Sequence, residues 1–569
     1  MRIAHSSKLK IFMSFILFMA FVCQNNVDAQ SVKNKKKKRK TEEVVKPKKP
    51  KKSIATLTKS SKKIEGLFTI FQDTVSGDLK MLIKKDQLDK DYIYFSQIAD
   101  GVTEAGKFRG AYSGSSIFHI KKYFNKIDFY VPNTSFFFDE NNPISRASEA
   151  NISDAIVSSS KILFADDKND EYLIDATGLF LSEELTRIKG PRFPGQSPLA
   201  FSLGRFDKKK SKVEEIKNYP ENTNIKTEYV FSNPSVLNGG SNAVTDGRNV
   251  SIKVFHTFMN MPENDYTMRM DDPRVGYFLT ETNDMTTTST VNYRDLIHRW
   301  KLIKKDPNAE ISEPVTPITW WIENTTPLEW RETIKEGVLA WNIAFEKAGF
   351  KNAMVVKVQP DDAEWDAGDV RYNVLRWTSS PNPPFGGYGP SFVNPRTGEI
   401  LGADIMLEFV HFTNRVFGDK LYDDASSNMS LETQEELEFK KSIEHPNFMF
   451  CSAGHVLHEN MQLGNTILEV TNASTMEMER MKKEGMKSLI MHEVGHTLGL
   501  NHNMKASQVY SPDQLSNADF IKGKALTGSV MDYAGINLTN DRSKQGQYYD
   551  MSVGPYDVWA IQFGYTPFK

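Results

Sequence analysis

Two textures divide the apolar and polar positions of the chain. From Gly66 the pattern is that of strands: Leu67-Phe68-Thr69-Ile70-Phe71, a turn at Ser76-Gly77-Asp78, then Leu79 to Ile83 predicts a hairpin. Ser116 to Lys122 and Ile127 to Val131 predict a second pair, and aromatic and β-branched stretches continue to about residue 260 without an internal repeat. Near Glu313 the pattern changes. Ile318 to Ile322 predicts a strand, and Thr326-Pro327-Leu328-Glu329 has the form of a capping box with proline at the first helical position. Trp330, Ile334, Val338, Trp341, Phe345 and Ala348 then recur every three or four residues, predicting one helix with a buried stripe that ends at Gly349. Met354 to Val358, Val370 to Trp377, Tyr388 to Val393 and Glu399 to Phe409 follow as strands. A strand, a long helix and then several strands predict an α/β layer with one antiparallel edge.

The first residues do not belong to either texture. Arg2, Lys8 and Lys10 precede an apolar run from Ile11 to Cys23, and Val27-Asp28-Ala29 supplies small residues before Gln30, the pattern of a secretory signal peptide. The apolar run is short of the ~20 residues that cross a bilayer, and no later segment is apolar and long, so no transmembrane segment is expected after cleavage. Removing residues 1–29 takes Cys23 away and leaves Cys451, which excludes an intramolecular disulfide and fits bacterial export. Cys451, beside Phe450, reads as a buried small hydrophobe.

Charge then changes the picture. Totals of 71 basic and 72 acidic residues look neutral, yet residues 33–63 carry a net +13 and residues 64–569 a net −16. The basic run repels itself and is expected to stay extended as a linker, with weak contact to anionic surfaces as its alternative role. No nucleic-acid partner is expected of an exported protein.

The candidate chemistry lies in His492-Glu493-Val494-Gly495-His496-Thr497-Leu498-Gly499-Leu500-Asn501-His502. On a helix, His492 and His496 project from one face and can share a metal ion. Glu493 sits beside that metal without having to bind it. Gly499 can take a positive φ, end the helix and turn the chain so that His502 returns as a third ligand. Three neutral imidazoles suit one Zn²⁺ and leave a fourth position open, the form of a catalytic site.

Further on comes Ser529-Val530-Met531-Asp532-Tyr533. The histidine motif together with this turn resembles the metzincin clan of zinc endopeptidases. The longer string from His492 to Ser507, with Asp272 to Tyr277 and Gly554 to Ala560, is similar to the secreted zinc metalloproteases of Bacteroidetes, which carry two β-rich domains ahead of a metzincin domain. The resemblance implies a twisted mixed sheet with long helices, an active-site helix and a Met-turn, with Met531 as an apolar floor beneath the zinc. It implies His492, His496 and His502 as ligands, Glu493 as general base and Tyr533 as a hydrogen-bond donor to the oxyanion. It also implies a protein or peptide substrate laid along an edge strand, here expected to be Glu399 to Phe409. Members of that family usually continue well past the final helix, so the chain is expected to be short relative to them.

The expected organisation is a signal peptide (1–29), a basic disordered linker (30–63), a small β-rich domain (64–110), a β-rich accessory domain (111–310) and a metzincin-like zinc protease domain (311–569). The fold class is α+β or α/β, and the expected function is an exported zinc metalloendopeptidase, periplasmic, cell-surface or secreted in a bacterium. The alternative is a catalytically vestigial surface-binding protein with a truncated protease domain. His455 and His458 mimic a metal motif in the wrong order and are expected to be structural. Pro273-Arg274-Val275-Gly276 resembles the inhibitory switch of matrix metalloproteases with valine in place of cysteine, which excludes a thiol latch at that position. A carboxylate latch from Asp271 or Asp272 is left as the alternative.

Overall fold

The computed structural model describes residues 52–148, 150–190, 199–263, 265–381, 387–408, 451 and 453–568, which form one compact unit. The expected signal peptide, the basic run as far as Lys51, Phe409, His411 and His445 lie outside the described residues. Among the described residues no helix is long and apolar enough to cross a membrane.

The N-terminal half builds a 12-stranded sheet whose neighbours are all antiparallel. It contains the expected hairpin, as Thr69–Asp73 on Leu79–Lys84, and the second pair, as Tyr112–Tyr123 on Lys126–Val131. Two expected boundaries in this part of the chain shift. The linker does not run to residue 63, because Ile54–Leu57 form a helical turn and Ser61–Ile64 add a strand to Thr69–Asp73. A division at residue 110 would cut through one hydrogen-bonded ladder, since Asp91–Asp100 lies between Tyr112–Tyr123 and Asn249–Asn260.

Strand Asp91–Asp100 is buried on both faces, which alternation explains. Tyr92 and Tyr94 point into the core of the N-terminal sheet, while Ile93 and Phe95 pack with Val370 and Phe392 from the C-terminal half. Phe95 stacks on Phe392 with ring centroids 4.5 Å apart, and burying each such ring stabilises the contact by roughly 1.5–3 kcal/mol. Gln97 donates to the Asp404 carboxylate across the same junction, at 3.1 Å.

In the C-terminal half, Met354–Val358, Ile318–Ile322, Asn373–Thr378 and Glu399–Glu408 run parallel in that spatial order. Gly387–Tyr388 and Ser391–Val393 pair antiparallel with Glu399–Glu408 on its other side. Glu399–Glu408 is therefore hydrogen-bonded along both sides and is not the edge strand expected to receive substrate. Gly387–Tyr388 and Ser391–Val393 pair, among the described residues, with no other strand. Arg299–Trp300 also runs parallel to the start of Glu399–Glu408, so the expected boundary at 310 excludes a strand that belongs to this sheet.

The aromatic stripe is buried as its spacing requires, with Ile334, Val338, Trp341 and Phe345 at 0% exposure. The helix that carries it is broken into Leu328–Leu339 and Asn342–Lys347. At the break the Trp341 indole N–H donates to the Met491 carbonyl at 3.0 Å, tying it to the neighbouring long helix. The expected capping box does not form. Pro327 is itself the cap residue, which leaves Thr326 one position too early, and no side chain caps the helix.

Candidate metal centre

The long helix Thr475–Thr497 starts where the Ser474 hydroxyl accepts from the Glu477 N–H, with Glu477 favourably placed against the helix dipole. Its last two turns are wholly buried from Leu489 to Thr497. It ends in a Schellman turn: Gly499, at φ +96°, donates to the His496 carbonyl, and Leu500 donates to the Gly495 carbonyl. Other carbonyls at this end are also satisfied, Thr497 by the Trp300 indole and Leu498 by the Tyr565 hydroxyl. The segment after Gly499 is then pinned as a short antiparallel pair, with Phe278 N–H donating to the Gly499 carbonyl and Asn501 N–H to the Gly276 carbonyl.

These constraints bring His492, His496 and His502 together. The His492 Nδ1 lies 2.7 Å from the Val530 carbonyl, and the His496 Nδ1 lies 2.9 Å from the Leu500 carbonyl. A carbonyl oxygen only accepts, so both Nδ1 atoms carry the proton and both Nε2 atoms present lone pairs. The His496 Nε2 is 3.0 Å from the His502 Nε2. Burial holds the imidazoles neutral, pushing His492 down to about 3 and His502 down to about 4, with His496 also well below the usual value. Neutral, fixed imidazoles converging on one point suit a Zn²⁺ ion.

Glu493 is fully buried, and burial pushes its carboxyl up to about 8. Its Oε2 has no hydrogen-bond partner among the described residues. The Tyr533 hydroxyl lies 3.0 Å from the His502 Nε2. Met531 is buried below the helix, where a Cβ on Gly495 would come within 2.2 Å of its sulfur. Glycine at 495 is what lets the turn approach so closely.

Residues 474–569 match a family model described as Met-zincin. The C-terminal part of the chain thus carries a Met-zincin domain, and the histidine triad and the Met531 turn lie within it. Residues 110–305 match a domain of unknown function (DUF5117). No curated protein and no solved structure matches significantly. The chain is therefore a mixed α/β protein with a large β-rich N-terminal region and a C-terminal Met-zincin domain, which points to a zinc metallopeptidase.

Sequence reasoning missed four residues that shape the site. Cys451 is buried, as expected, but not in a bland core position: its Sγ lies 3.2 Å from the His492 Nε2 and 3.5 Å from the Glu493 Oε1. No spacing rule links a residue 41 positions upstream to the motif. Asp557, in the first turn of helix Pro555–Tyr565, accepts from the Ser529 hydroxyl and from the Val530 and Gly554 N–H groups. It thereby fixes the strip of backbone whose Val530 carbonyl orients His492. Gly387 and Gly389 lie against Glu493, where a Cβ on Gly387 would reach 2.7 Å from the carboxylate; the glycine-rich run at 386–389 was the available signal. Neither Asp271 nor Asp272 belongs to the cluster, and Asp272 is paired with Arg274 at 2.6 Å.

Beside His492 opens a cavity of about 200 Å³ whose lining mixes Leu457, Leu526, Ile536 and Tyr533 with Asp532 and Asp550.

Proposed function

We propose that the chain is a zinc-dependent endopeptidase that hydrolyses peptide bonds with Glu493 as general base. The observation that carries this reading is the convergence of two tautomer-fixed imidazole Nε2 atoms on His502, next to a buried carboxylate. His492, His496 and His502 would hold the ion. Zinc, when bound, supplies Lewis acidity to a scissile carbonyl and to water. The Glu493 carboxylate takes a proton from the attacking water and returns it to the leaving amine. The Tyr533 hydroxyl donates to the developing oxyanion. The cavity beside His492, with Leu457, Leu526 and Ile536 on its walls and Asp532, Asn537 and Asp550 among its polar lining, suits a side chain of the substrate. Gly387–Tyr388, an antiparallel strand against the site, suits backbone pairing with an extended peptide.

The similarity to secreted Bacteroidetes metalloproteases and the N-terminal pattern support export from a bacterium, with the β-rich region as an accessory part of the same enzyme. The test is Glu493→Ala. It is expected to retain zinc at one ion per chain while peptide hydrolysis falls by about 10²–10⁴-fold. Hydrolysis at the wild-type rate would sink the mechanism. Absence of chelator-sensitive casein clearing by every zinc-loaded form of the folded protein would favour a vestigial binding protein.

A further inference from the structure

We infer that Cys451 is a fourth protein ligand of the metal, closing the coordination shell and holding the chain in a latent state. The inference rests on the zinc reading above and adds a residue outside the region matched to Met-zincin.

The geometry is that of a ligand set. One donor atom from each of Cys451, His492, His496 and His502 lies within 4.8 Å of the others. Ligands held at ~2.0 Å by nitrogen and ~2.3 Å by sulfur in a tetrahedron sit roughly 3.3–3.5 Å apart. The Cys451 Sγ is 3.2 Å from the His492 Nε2, and the His496 and His502 Nε2 atoms are 3.0 Å apart. The Tyr533 hydroxyl, 3.7 Å from the Sγ, faces the same point. A second observation agrees. Glu493 is fully buried 3.5 Å from the sulfur, with one carboxylate oxygen lacking any partner among the described residues. A buried carboxylate with a free oxygen needs a polar group beside it; the sulfur meets its Oε1, and Oε2 is left for water or substrate.

Three imidazoles and a thiolate make a closed four-ligand site, whereas a catalytic site keeps one position open. Activity would then require a ligand exchange. The metal–sulfur bond breaks, water supplies the replacing lone pair, and the departing thiolate takes one proton from solvent to become a thiol. No electron is transferred. A thiol latch excluded at Val275 is in this reading supplied by Cys451, within the C-terminal half.

The experiment uses the full chain loaded with Co²⁺ as a spectroscopic probe and with Zn²⁺ for activity. Wild type with one cobalt per chain is expected to show a thiolate-to-cobalt charge-transfer band in the near ultraviolet. Cys451→Ser and Cys451→Ala should bind cobalt without that band, bind zinc at least tenfold more weakly, and hydrolyse casein at least tenfold faster when zinc-loaded. Stoichiometric cobalt in wild type without the band, or a band that persists in Cys451→Ala, overturns the ligand and leaves the thiol as a hydrogen-bond donor only. A band that disappears without a rise in hydrolysis overturns the latency. If no form binds cobalt or zinc at one per chain, or if zinc-loaded Cys451→Ala and wild type are both inert, the endopeptidase reading itself falls.

Discussion

Gly499→Ala probes how the chain delivers His502. At φ +96° an L-residue is strained, and a Cβ on Gly499 would lie 1.9 Å from the His298 carbonyl oxygen. Ordinary carbon–oxygen contacts begin near ~3.3 Å, so the backbone must give by more than ~1 Å. It is not free to do so. Gly499 accepts from Phe278, Phe278 accepts from His298, and Gly276 accepts from Asn501, at 2.7, 2.9 and 3.0 Å. The left-handed backbone costs about 1–2 kcal/mol, and giving up two of those hydrogen bonds adds about 1–3 kcal/mol. A loss of roughly 2–5 kcal/mol in folding free energy is expected. Ligand distances tolerate only about 0.2 Å, so zinc affinity should fall at least tenfold as His502 shifts. Urea unfolding of the metal-free chain and competition with a chromophoric chelator measure the two effects. An unchanged urea midpoint with affinity within twofold of wild type would refute the reasoning.

Two other perturbations separate support from chemistry. Asp557→Ala removes the acceptor that fixes Ser529 and Val530, and should weaken zinc by about 10–100-fold without touching a ligand; isothermal titration with zinc reads it, and native affinity would discard the support role. His256 is buried between the Tyr94 and Tyr229 hydroxyls, and burial depresses it to about 3. Its unfolded value is ~6.5, so the unfolded chain binds the extra proton first; the associated stability is complete above pH ~6.5 and is lost as pH falls towards 3. At pH 4.5 this amounts to about 3 kcal/mol. His256→Asn should flatten the change in urea midpoint between pH 7 and pH 4.5, and an equally steep change would remove His256 as its source.

What could be read from the sequence was local. His492, His496 and Gly499 fall within one helix and its cap, so spacing and the need for positive φ suffice to bring the first two imidazoles to one face. Ile318–Ile322 and Met354–Val358 have the bounds their apolar runs suggested. The failures are cases where a distant partner decides. The break at Ala340 and Trp341 answers to Met491, 150 residues away from Trp341. Glu399 to Glu408 reads like any apolar strand, and only the flanking segments reveal that both its sides are paired. Cys451 looked like packing because apolar neighbours in sequence say nothing of the imidazole that meets it in space. Asp557 drew no reading of its own, because its bonds to Ser529 and Val530 are tertiary.

The pairing of residues 276–278 with 499–501, and of Arg299–Trp300 with Glu399–Ile400, bears on how such a protein can change over evolutionary time. The segment that steadies the third histidine lies within the stretch matched to the domain of unknown function, not within the Met-zincin match. A gene fragment beginning at residue 311 would encode every histidine of the triad yet omit the strand that holds one of them and the indole that closes the helix. The Met-zincin segment thus leans on backbone that lies outside it. A chain cut between the two would lose the backbone pairing beside His502 and the indole bond to the Thr497 carbonyl.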